Sequence, residues 1–145
     1  MVNFRNPATG RVTIEAKVSN QADRHLAEAG HLPPDQVRTM VLRGVVDTGA
    51  VMLVLPESAA RQLGLTKTGE TRVRYADHRT ATREVVGDVE VEIGGRRSPF
   101  TAVVEPGRSE ALYGAIVLEA LDLIVDCGRQ TLSPRDPDTM VTEIE

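Results

Sequence analysis

Apolar and polar residues alternate strongly along 85–93: Val89, Val91 and Ile93 fall on one side, Asp88, Glu90 and Glu92 on the other. A period of two is the signature of a strand with one buried face. The same period recurs at 11–18, where Val12, Ile14, Ala16 and Val18 share a face, and at 70–75, where Val73 and Tyr75 oppose Arg72 and Arg74. Further apolar runs at 37–46, 51–55, 100–104 and 123–127 are short and bounded by turn residues. Gly94-Gly95 between two of them reads as a hairpin turn. Many short strands of this kind predict a mainly β, barrel-like domain.

Helices are few and short. Ser19-Asn20 can cap a helix over 21–29 that stops at Gly30. Pro56-Glu57-Ser58 opens a second that ends at Gly64. Residues 115–121 suit a third. Composition agrees with this reading. Valine is the commonest apolar residue, and the 145 residues include only two Tyr, two Phe and no Trp. Branched aliphatics pack well on pleated surfaces. The length suits one domain. We place it at residues 1–133, with an extra helix-bearing segment near 19–35 and a tail at 134–145 that is open to two readings, an interface strand or a disordered end.

Several function classes fall away. The net charge is −4, with basic residues scattered rather than gathered on a face, and stacking aromatics are scarce. No nucleic-acid partner is expected. The longest apolar stretch, 115–125, is interrupted by Glu119 and Asp122 and is too short to span a bilayer, so no membrane association is expected. The first ten residues contain no apolar run of the secretory type. The single cysteine, Cys127, excludes an internal disulfide and points to a reducing, cytoplasmic setting. His25, His31 and His78 lack metal-ligand spacing, so neither a metal nor another cofactor is expected. Cys127 reads as a small structural residue and Ser58 as a helix-start residue.

One segment carries chemistry. In Val45-Val46-Asp47-Thr48-Gly49-Ala50 a carboxylate ends an apolar strand on a turn that contains glycine. Glycine admits close backbone approach, so the turn can mount the carboxylate rigidly at a domain edge. Asp-Thr-Gly alone would occur by chance in about 3% of chains of this length. Its flanks, an apolar strand before and an apolar strand and helix after, narrow the reading.

With these flanks, the chain resembles the retropepsin-like aspartic proteases, in particular small bacterial members with one catalytic motif per chain. The resemblance runs over roughly 37–134. It implies a closed or partly open acid-protease barrel with one or two short helices. Asp47 would be the catalytic carboxylate, with Thr48, Gly49 and Ala50 supporting its loop. Tyr75, Ala76, Asp77 and His78 fall where the family's flap hairpin meets substrate. Leu112, Tyr113 and Gly114 match the second signature, although Tyr113 stands where an aliphatic residue is usual. The flap tip also lacks the glycine found in related chains. Tyr75 is open to two readings, a cleft-lining ring or a ring on a buried strand face. Asp77 and His78 are similarly open, to substrate contact or to a solvated turn.

Family chemistry uses two carboxylates that share a proton, one activating water and the other polarising the scissile carbonyl. The chain has one Asp-Thr-Gly. The resemblance therefore implies a homodimeric endopeptidase acting on peptides or unfolded protein segments. The alternative is a catalytically inactive dimer of the same fold that serves as a protein-binding or assembly module.

Overall fold

The computed structural model describes residues 2–3 and 12–144. Its strands are β1 (Val2–Asn3), β2 (Val12–Asn20), β3 (Thr39–Val46), β4 (Leu53–Pro56), β5 (Lys67–Arg74), β6 (Thr80–Ile93), β7 (Arg96–Glu105), β8 (Ala111–Tyr113), β9 (Leu123–Asp126) and β10 (Thr131–Pro134). Three short α-helices accompany them among the described residues: α1 (Gln21–Glu28), α2 (Glu57–Gln62) and α3 (Ala115–Leu121). Six strands close a barrel in the order β2-β3-β8-β4-β7-β6, with β6 returning to β2. The mainly β barrel expected from the alternation is therefore present.

Closure depends on two long strands that each serve two neighbours. β2 pairs with β3 along Val12–Ser19 and with β6 along Lys17–Asn20. β6 can bend because its register against β7 slips between Val86 and Val89, a β-bulge with Asp88 at φ 55°. A bulge increases local twist and turns a strand away from its first partner. The first half of β6 pairs with β5 in a hairpin outside the closed ring. The Gly94-Gly95 turn joins β6 to β7 with positive φ at both residues, as a two-residue hairpin of matching twist requires. Aliphatic side chains fill the interior: Val18, Leu53, Leu55, Val86, Val89, Val91 and Ala102 have essentially no exposed surface.

The 19–35 segment is tied down on the barrel. The Asn20 side chain accepts from Asp23 N at 3.0 Å and caps α1, while its amide donates to Leu63 O at 3.0 Å beyond α2. The alternation placed Glu90 on the polar side of β6. It is nevertheless buried, because α1 covers that face and Arg24 meets Glu90 at 2.7 Å. Asp23 is likewise buried and takes three hydrogen bonds from Arg38, two from the guanidinium and one from the backbone.

The Arg38 side chain, aided by its backbone N–H, holds the Asp23 carboxyl below its ordinary value of 3.8 against the opposing effect of burial. A depressed native value stabilises the fold above the unfolded value, and that stability is lost as pH falls through the native one. Stability should therefore decline from about pH 4 downward. Asp23→Asn should unfold more easily at neutral pH and show a shallower acid decline. Urea unfolding of both proteins across that range checks this.

The C-terminal residues fold back over α3. Asp122, in the left-handed conformation, accepts from Arg135 Nε at 2.7 Å and from Val141 N at 2.9 Å. Arg96 donates to the carbonyls of Leu121, Asp122, Asp136 and Thr139. β10 runs through Ser133 and Pro134, pairing antiparallel with β9.

Candidate active site

Asp47 follows the last residue of β3, and three sets of bonds fix its loop. Asp47 N donates to Tyr113 O at 3.1 Å, which continues the parallel pairing of β3 with β8. Asp47 Oδ1 accepts from Gly49 N at 2.9 Å, and Ala50 N donates to Asp47 O at 3.3 Å. The descending arm is stapled to α3: Ala115 N donates to Ala50 O at 2.7 Å and Ile116 N to Val51 O at 3.0 Å. The first amides of a helix have no partner within it, and here loop carbonyls satisfy two of them.

The glycines of this region allow the chain to pack at backbone contact. A Cβ at Gly114 would press on the Met52 carbonyl and lie 2.8 Å from both Ala50 O and Val51 C. A Cβ at Gly49 would sit 3.2 Å from Asp47 Oδ1. Thr48 is exposed, and its hydroxyl makes no hydrogen bond among the described residues.

Tyr113, the departure in the second signature, is fully buried in the core. Gly44 on β3 makes room for it, since a Cβ there would lie 2.5 Å from Tyr113 Cε2. The Tyr113 hydroxyl donates to Leu42 O at 2.7 Å, and burial pushes its pKa well above the usual phenol value. Tyr113→Phe would strand the Leu42 carbonyl acceptor in the core, at a cost of about 1–3 kcal/mol. Urea unfolding should show this as a lower midpoint with an unchanged slope.

Two adjoining basins form the cleft. One, of about 430 Å³, is lined by Val45, Asp47, Thr48, Val125 and Cys127 among others. Asp47 is the sole acidic side chain lining it among the described residues. The second, of about 370 Å³, lies beneath the β5–β6 hairpin and is lined mainly by Ala50, Met52, Val54, Val73, Tyr75 and Val103. Arg108 and Leu112 line both.

The β5–β6 hairpin, which turns at 75–79, lies where the flap is expected around 75–84. Tyr75, at the hairpin turn, lines the cleft half-buried, and its hydroxyl donates to Glu105 at 2.8 Å. Arg83 Nε donates to the same carboxylate at 2.8 Å, and the Arg79 guanidinium lies 4.6 Å from the Tyr75 ring centre. Ala76, Asp77 and His78 form an exposed turn. Asp77 Oδ1 accepts from Arg79 N at 3.0 Å, and His78 takes the left-handed φ of 68°. The Asp77 side chain thus closes a short Asx turn at the hairpin tip.

Cys127 is exposed at the cleft rim rather than packed inside the fold. His25, His31 and His78 are exposed as well, and no group of three or more His, Cys, Asp or Glu among the described residues is arranged to hold a metal. Sequence reasoning missed Gly44, Arg83, Glu105 and Arg108. Gly44 left one signal, an interruption of an apolar strand.

Among curated proteins, none matches the chain. Among solved structures, the EIAV protease in complex with the inhibitor HBY-793 is similar in fold, with a TM-score of 0.55 and 15% identity over 81% of this chain and 94% of that one. A family model described as aspartyl protease matches residues 24–118. That match spans more than half of the chain and includes the Asp47 loop, the flap and the second signature; the chain belongs to the aspartyl protease family.

Proposed function

We propose that the chain is one half of an aspartic endopeptidase that works as a two-fold homodimer on peptides or unfolded protein segments. The observation that carries this is the Asp47 loop: a carboxylate fixed by backbone bonds at the edge of an open cleft, with no second acidic side chain beside it among the described residues. Acid-protease chemistry requires a second carboxylate close enough to share a proton. A symmetry-related copy supplies one when the same patch of each subunit faces a two-fold axis.

The roles then divide simply. One Asp47, ionised, takes a proton from water as the oxygen attacks the scissile carbonyl. The other, protonated, donates to that carbonyl oxygen. The Thr48 hydroxyl, exposed at the loop, would bond across the axis. Gly49 N–H orients Asp47 Oδ1, and Gly49 keeps the approach to it open. The flap, held to the cleft wall through Tyr75 and Glu105, covers the bound segment and excludes water.

The test is cleavage of a denatured protein mixture between about pH 4 and 7, comparing wild type with Asp47→Asn. Cuts made by wild type and lost in the variant support the reading. Equal cutting by both removes Asp47 from the chemistry. A folded dimer that cuts nothing favours the binding-module alternative.

A further inference from the structure

The cleft has an uneven charge distribution that the peptidase reading does not use. Arg108, on the loop between β7 and β8, borders both basins. Its Nε donates to Glu110 O at 2.8 Å, which fixes the plane of the guanidinium. Its two terminal nitrogens have no protein partner among the described residues. Arg74, at the end of β5, lines the under-flap basin and likewise has no ion pair there.

The carboxylates on the under-flap side are already engaged, whereas the Asp47 carboxylate, across the adjoining basin that Arg108 also lines, accepts only from Gly49 N among the described residues. Glu105, the one acidic group lining the under-flap basin, accepts from Tyr75 and Arg83. Glu110 lies 3.4 Å from the Arg43 guanidinium. The basin thus presents two uncompensated cations at its margin, while Val54, Val73, Val103 and Leu112 make its floor apolar.

We propose that Arg108, assisted by Arg74, is the specificity-determining group of this cleft and selects a glutamate side chain next to the scissile bond. The inference rests on the peptidase reading and adds its substrate class. Glutamate fits both parts of the basin: its methylenes cover the apolar floor, and its carboxylate reaches the rim. A guanidinium binds a carboxylate by paired, charge-assisted hydrogen bonds. Placing Arg108 against both basins puts the selected residue within about two positions of the cut, since one extended residue spans about 3.3 Å.

The test profiles the cuts made in a proteome-derived peptide library by wild type, Arg108→Gln, Arg108→Lys and Arg108→Glu. Wild type should favour Glu over Gln at one position beside the cut by about tenfold, the worth of one charge-assisted hydrogen bond. Arg108→Gln should erase that preference, Arg108→Lys should keep part of it, and Arg108→Glu should turn it toward Lys and Arg. Cutting without acidic preference, or a preference unchanged in Arg108→Gln, overturns the inference and leaves the peptidase reading standing. If wild type cuts nothing, anisotropy of matched fluorescent peptides with Glu or Gln at their centre decides. Glu-selective binding that Arg108→Gln abolishes upholds the site and overturns proteolysis. Equal binding, or none, overturns both.

Discussion

Asp47→Asn is expected to lower peptide cleavage by about 10³-fold or more, since general acid–base groups contribute about 10²–10⁴-fold and this residue would supply both members of the pair. The amide is nearly isosteric with the carboxylate, and Asn Oδ1 can still accept from Gly49 N, so folding should be retained. What is lost is the ability to take a proton from water. The variant also reports whether the site is shared. If each active site draws one carboxylate from each of two exchanging chains, an equal mixture of wild type and Asp47→Asn retains about one quarter of the activity of the same total amount of wild type. If one chain held a complete site, about half would remain. Cleavage assays after subunit exchange, with thermal melts as a folding control, distinguish these outcomes. A retained half would exclude the shared site even if Asp47 proved indispensable.

The features legible in the sequence were those in which one local rule determines the outcome. Alternation identified β2 and the flap strand β5, and the glycine pair identified the β6–β7 turn. Asn20, Pro56, Gly30 and Gly64 marked helix ends. The Asp47 loop was legible because its chemistry and its flanks coincide in a few residues. Features that depend on distant partners were not. Glu90 is polar on a polar-looking face, yet α1 covers it with Arg24, and no local pattern announces that cover. Gly44 looked like a flaw in a strand until Tyr113, nearly seventy residues on, was found to need the space. The Tyr75–Glu105–Arg83 cluster joins the hairpin turn to the end of the neighbouring strand β7, and none of the three residues has a neighbouring sequence cue. Tyr75 shows the same limit. Its strand periodicity fitted either a core ring or a cleft ring, and the hydrogen bond to Glu105 places it in the cleft.

Gly114→Ala should damage both stability and activity. The argument is steric. Gly114 has φ −79° and ψ −177°, an extended conformation open to any residue, so no backbone strain is involved. The added Cβ would instead meet backbone atoms of Ala50, Val51 and Met52. These atoms cannot rotate aside as a side chain would. They belong to the arm that Ala115 N and Ile116 N staple to α3, so relief requires breaking those bonds or moving the Asp47 loop. Overpacking of this kind costs about 3 kcal/mol. Displacing a reacting group by about 1 Å costs about 10²-fold in rate. Gly30→Ala provides the contrast. Gly30 has φ 82° but open space around its Cβ position, so only conformational strain of about 1 kcal/mol applies, far from the cleft. Urea unfolding and peptide cleavage should therefore separate the two variants. Gly30→Ala should keep wild-type cleavage with slightly reduced stability, whereas Gly114→Ala should lose both. Equal behaviour of the two would mean that the contact between the second signature and the Asp47 loop does not hold the carboxylate in place.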